Sequence, residues 1–202
     1  MSTKHYSLSI LICLAFFGLV AQPNSSSTAV APKKSGAETK KENVKETFIS
    51  RYYEMKDTYP ALVTLYGLYA ASSNPKTRFI ERYNKIKAAY PTLSEVHGNF
   101  AAADNTLEEF AKKYYEIRDV YPALGKLHGD YAGSKHNLNE FMKRYNEVKD
   151  SAPDLIDYYG EFAASDNTLP EFSARFYGIK ASNPNLKNSF GYYAGSNKKL
   201  SK

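Results

Sequence analysis

The sequence predicts an all-α protein in which five tandem helix-turn-helix units of 31 residues stack as an α-solenoid, behind a signal peptide and a disordered linker. Phenylalanine recurs at Phe48, Phe79, Phe110, Phe141 and Phe172, and proline at Pro60, Pro91, Pro122, Pro153 and Pro184. Leu62, Leu93, Leu124, Leu155 and Leu186 keep the same step, as do Gly67, Gly98, Gly129, Gly160 and Gly191, and Ala70, Ala101, Ala132, Ala163 and Ala194. Five columns without an insertion make the repeat the organising feature of the chain. The units run 46–74, 75–105, 106–136, 137–167 and 168–198, with a short tail at 199–202.

Residues 1–21 resemble a secretory signal: Lys4 and His5 precede the apolar run from Leu8 to Ala21, which is short for a membrane span. An uncleaved anchor is the alternative. The only cysteine, Cys13, lies in that run, so the processed chain has no disulfide or thiol chemistry. Residues 22–45 have almost no large apolar side chain and predict a disordered linker. Asn24-Ser25-Ser26 within it is a glycosylation sequon for a eukaryotic secretory route.

The chain carries 27 basic and 21 acidic residues, but six of the former and two of the latter precede Glu46. From Glu46 onward 21 and 19 remain, a net charge of only +2, so nucleic acid loses its support as a partner.

Each unit predicts two helices. In the first, Phe110, Tyr114, Ile117 and Tyr121 fall on one helical stripe. Thr106 with Glu109 and Thr168 with Glu171 form capping boxes, and Asn137 with Glu140 repeats the arrangement. The proline ends this helix, because its ring drives the preceding residue out of helical geometry, and then opens the second. The second helix is expected from about Pro122 to Gly133, with Leu124, Leu127, His128 and Tyr131 buried and Lys126 and Asp130 on its outer side. Short connections require neighbouring helices to pack antiparallel.

The run from Gly129 through Leu138, Glu140, Phe141, Tyr145, Val148 and Pro153 resembles a tetratricopeptide repeat, and the likeness covers all five units. It departs from that family in its 31-residue length, against 34, and in a bulky Phe where the family prefers Ala. The resemblance implies a stacked helical scaffold that binds a protein or peptide.

His97 and His128 occupy one repeat position, which holds Tyr66, Tyr159 and Phe190 in the other units. Equivalent residues of stacked helices lie about 10 Å apart, against about 2 Å from nitrogen to a shared metal. Ring packing is the expected role, and no metal or cofactor site is predicted. The mid-helix glycine costs about 1 kcal/mol against alanine, so its recurrence implies close backbone approach.

Two basic columns are candidate binding ladders for an anionic protein or peptide: Arg51, Arg82, Lys113, Arg144 and Arg175, and Lys56, Lys87, Arg118, Lys149 and Lys180. Ordinary helical pairing explains part of the first, through Glu109–Lys113, Glu140–Arg144 and Glu171–Arg175. Units one and two lack that glutamate, which selects Arg51, Lys56, Arg82 and Lys87 as partner-binding residues. Tyr53 stands one residue past the core stripe and joins them. Val63, Leu68 and Tyr192 are apolar at positions assigned outward in the end units, which predicts self-association or a partner contact there.

No nucleophile set, phosphate loop or isolated acid pair stands apart from the repeat, so the chain is not expected to be an enzyme. The expected function is a secreted, extracellular, non-enzymatic protein that binds another protein or peptide, of which a secreted effector is one form. Alternatives are a carrier of an apolar small ligand in an aromatic-lined groove and an extracellular structural or adhesive protein. After signal cleavage the chain is not expected to be membrane-embedded.

Overall fold

The computed structural model describes residues 46–201. The signal, the linker and Asn24 lie outside the described residues. Within them the protein is helical, with five long helices, α1 (Phe48–Thr58), α3 (Lys76–Ala89), α5 (Leu107–Val120), α7 (Leu138–Ser151) and α9 (Leu169–Ser182). They alternate with five short ones, α2 (Tyr66–Ala71), α4 (His97–Ala102), α6 (Gly125–Gly133), α8 (Tyr159–Ala164) and α10 (Phe190–Gly195).

Caps begin the long helices where the sequence places them. Thr106 and Thr168 accept from the backbone of Glu109 and Glu171, whose carboxylates reach back to complete the box. Thr47 and Ser50 form another in the first unit. Asn137 accepts from the Glu140 backbone, but the Glu140 side chain turns to His136 instead.

The proline does not open the second α-helix directly. Instead, 3₁₀ structure intervenes, at Val63–Leu65, Ser94–Val96, Pro122–Leu124, Pro153–Tyr158 and Pro184–Ser189, and the leucine column kinks it: Leu62, Leu93 and Leu124 have φ near −97° to −95° and ψ of 37° to 44°. Leu155 and Leu186 make the same kink. The backbone thereby turns so that the short helix crosses beneath the long one.

Each long helix packs on the short helix of its own unit, and the short helices pack on one another in chain order, α2 on α4, α4 on α6, α6 on α8 and α8 on α10. The series does not stop there, because α10 packs on α2. The open solenoid is therefore corrected to a closed ring, with short helices inside and long helices outside.

Closure is held by main chain and by rings. The Phe48 and Ile49 amides donate to the Lys199 and Leu200 carbonyls, at 2.8 and 3.1 Å, so the C-terminal tail satisfies the free amides at the start of α1. Phe48 packs edge-on against Tyr193, with centroids 5.2 Å apart, and both belong to one apolar cluster with Ala70, Phe172 and Phe190. Between other units the loop amide serves as a staple: Asn74 Nδ2 donates to Ala101 O at 3.0 Å, Asn105 to Ala132 O and Asn167 to Ala194 O, both at 2.7 Å.

Candidate functional site

The glycine column is where the inner helices touch. A Cβ at Gly98 would lie 2.6 Å from Leu68, one at Gly129 2.8 Å from Asn99, and one at Gly191 3.0 Å from Glu161. Gly160 is seated in the same way against Asp130, and Gly67 against Tyr192 at 2.8 Å. Each unit thus lays one side chain over the next unit's glycine, and the fifth lays Tyr192 over the first. No side chain larger than hydrogen fits those seats without displacement.

The side chains so placed, Leu68, Asn99, Asp130, Glu161 and Tyr192, face inward around the ring axis. They line a cavity of about 220 Å³ whose remaining wall is Ala, Gly and Ser. Where the short helices end, it continues into a vestibule of about 1040 Å³, lined in part by charged side chains, that shares Ala71, Ala102, Gly133, Ala164 and Gly195 with it. This overturns three expectations. Leu68 and Tyr192 do not mark an outer contact, and Asp130 is not on an outer face: in a closed ring, the side of a short helix turned away from its long partner looks at the axis.

Asp130 and Glu161 are neighbours on adjacent helices. Asn99 Nδ2 donates to Asp130 Oδ1 at 2.9 Å, and among the described residues neither carboxylate has a Lys, Arg or His partner. Burial pushes the Asp130 carboxyl up to about 7 against the opposing pull of Asn99. Glu161 is held well above the ordinary carboxyl range, first by burial and then by the negative charge of Asp130. Burial, followed by the two carboxylates, also raises the Tyr192 phenol. The pair therefore holds a proton near neutral pH. Among the described residues no three His, Cys, Asp or Glu side chains converge as a metal ion would require.

The first basic column does not form a ladder. Arg51, 2% exposed, donates to Tyr69 O at 3.0 Å and Asn74 O at 2.6 Å. Half-buried Arg82 donates to Phe100 O and Asn105 O, Lys113 to Ser134 O and His136 O, Arg144 to Phe162 O and Asn167 O, and Arg175 to Tyr193 O and Lys198 O. Each cation also lies over the ring of residue 69 or its equivalent, 3.9 to 4.5 Å from the centroid. The carbonyls at the end of a short helix carry the negative pole of its dipole, so these side chains clamp each unit's exit loop. Arg51 and Arg82 are accordingly corrected from partner ligands to internal clamps. The expected Glu109–Lys113, Glu140–Arg144 and Glu171–Arg175 pairs do not form among the described residues, since Glu109 and Glu171 turn back to cap their own helices and Glu140 to His136.

Lys56 and Lys87 are exposed on the outer wall, and Tyr53 is 38% exposed with the Lys56 ammonium 5.5 Å from its ring centroid. Arg118 sits likewise over Tyr115 at 4.6 Å, and Lys180 over Tyr177 at 5.9 Å.

The histidines pack as rings. His97 Nε2 and His128 Nε2 donate to the Tyr90 and Tyr121 carbonyls at 2.9 and 3.0 Å, and the longer Tyr66 hydroxyl reaches one residue further, donating to Pro60 O at 2.7 Å. A carbonyl can only accept, which fixes the proton on Nε2. Tyr83 and Tyr114 meet the two imidazoles edge-on.

Comparison of the chain with protein-family models, curated proteins and solved structures returned no match. Among the described residues no helix is long and apolar enough to cross a membrane.

Proposed function

We propose that the chain is a non-enzymatic binding ring that holds a small molecule in its axial cavity, one with an apolar part and a cationic or hydrogen-bond-donating end. The observation that carries this reading is the contrast between columns. The seats, clamps and aromatic positions keep one chemical type in all five units, whereas the axial column holds five different side chains, Leu68, Asn99, Asp130, Glu161 and Tyr192, around one space. A scaffold position under packing demand alone has no need of that variety. Leu68 and the alanines favour an apolar body, and two carboxylates without a cationic partner favour a donor or a positive charge. The reading replaces the aromatic-lined groove, since Tyr192 is the only aromatic in that wall.

Ligand-observed NMR with amines, alcohols and acids of about six to ten non-hydrogen atoms, a size suited to so small a cavity, tests it. Amines such as benzylamine are expected to bind, and Leu68→Trp, which fills the space, is expected to abolish binding while Lys56→Ala leaves it intact. Binding unaffected by Leu68→Trp, or none by any member of the set, would remove the proposal.

A protein or peptide partner on the outer wall is the second reading, favoured by the exposed cation-over-ring pairs at Tyr53/Lys56, Tyr115/Arg118 and Tyr177/Lys180. Export, and an effector role outside the cell, rest on residues 1–21 of the sequence.

A further inference from the structure

We propose that Asp130 and Glu161 form an acid-closed latch at the hub: while protonated they allow α6 and α8 to pack, and once both are ionised their repulsion loosens that seam and widens the axial cavity. The opening of the cavity rests on the binding reading above, whereas the latch itself stands on the geometry of the seam.

The pair sits where the inner helices touch, with each carboxyl also bordering the axial cavity. Asp130 lies against the seat of Gly160, the residue before Glu161, with its Cγ 3.1 Å from where a Cβ would stand, and Glu161 lies in turn against Gly191. Asp130 thus stands at the contact of α6 with α8 and Glu161 at that of α8 with α10, each half-buried beside the axial cavity. The groups that face the pair are Asn99 on α4, Tyr192 on α10, Leu68 on α2, and Asp157 on the turn before α8, whose charge adds to that of Asp130 on Glu161. None is a cation. Lys112, Lys113, Lys135, His136 and Lys198 line the outer vestibule, where Lys113 is committed to the Ser134 and His136 carbonyls and His136 to Ser165 O, Glu140 and Asp166. Lys126, one turn before Asp130, is exposed, and α5 and α7 direct Lys113 and Arg144 to exit-loop carbonyls.

The direction follows from linkage. A carboxyl raised in the folded state binds its proton more tightly there than in the unfolded chain, so the pair favours the ring fully below the ordinary carboxyl range. That contribution is lost as pH climbs toward about 7, where Asp130 ionises and its proton passes to solvent. Acid closes the seam and neutral to alkaline pH loosens it.

Thermal unfolding of the full chain and of D130N/E161Q at pH 5 and pH 8 tests the latch. The wild-type Tm is expected to fall by roughly 5 °C or more between the two, and the double variant to fall less and to melt higher than wild type at pH 8. A double variant that keeps the whole wild-type drop, or a wild type that shows none, would overturn the proposal. Should the variant not fold, carbon-13 titration of the wild-type side-chain carboxyls decides: midpoints of the pair above roughly 6 uphold the latch, and both near the ordinary value of about 4 refute it. Amide exchange, corrected for intrinsic rate, is expected to quicken most in α6 and α8 at pH 8, and an even rise over all five units would count against the seam. If benzylamine fails to bind at either pH while these changes follow the pair, the latch stands and the ligand reading falls.

Discussion

The clamp column and the axial column belong to the same five units and obey opposite rules. Arg51, Arg82, Lys113, Arg144 and Arg175 keep one charge and one task, donating to two carbonyls at the exit of a short helix. Leu68, Asn99, Asp130, Glu161 and Tyr192 share a position but neither size nor charge. Sameness marks the places where one unit must complete its own fold. Difference marks the place where all five units look at the same space.

Breaking the clamp should have the largest effect. Arg51→Met leaves the Asn74 carbonyl without its donor, takes one donor from Tyr69 O, which keeps those of Ser72, and unpairs Glu46; it is expected to cost about 3 kcal/mol of unfolding free energy in urea titration. Arg51→Lys should cost much less, because Lys113 already performs the task in the third unit. Equal losses for the two would mean that only the guanidinium fork, and not a cationic donor as such, performs the task at this position.

Next comes the seat at the closure. Gly67→Val would press on Ser189 Oγ, 2.6 Å from the added Cβ, and on Tyr192, with an expected loss of about 2 kcal/mol after the helix-propensity gain over glycine is set against overpacking. The same substitution at Gly125, which has open space around it, should be close to neutral. At the outer wall, Lys56→Ala and Lys87→Ala should change stability by less than about 0.5 kcal/mol, so any loss of a protein partner in those variants reports binding alone.

Much of the unit is legible in the sequence, because its features are local. The stripe of Phe110, Tyr114 and Ile117, the caps at Thr106 and Thr168, the stop before Pro122 and the ring role of His97 and His128 all follow from contacts within about one unit. The closure is not legible there. It depends on the angle between successive short helices, which accumulates around five joints and is encoded by no one residue type. The axial site was lost with it. A helical wheel places Asp130 opposite the long helix and so on the outside, which holds for an open stack and fails for a ring. The glycine column carried the missing signal: a small residue beside Ala70 and Ala71 implies a neighbour on each flank of the short helix, and that leaves the 68 column between two walls. The basic column misled for another reason, since Glu109 and Lys113 stand at pairing distance along the helix but each has a stronger local demand to meet.

Ring closure is the claim on which the cavity, the latch and the reassigned residues all depend. Spin labels at Lys56→Cys paired in turn with Lys87→Cys, Arg118→Cys and Lys180→Cys, in a chain carrying Cys13→Ser, test it by pulsed dipolar spectroscopy on exposed sites of one column. The ring predicts that the 56–180 separation matches 56–87 and is shorter than 56–118. A separation that grows from 87 to 118 to 180 would contradict it.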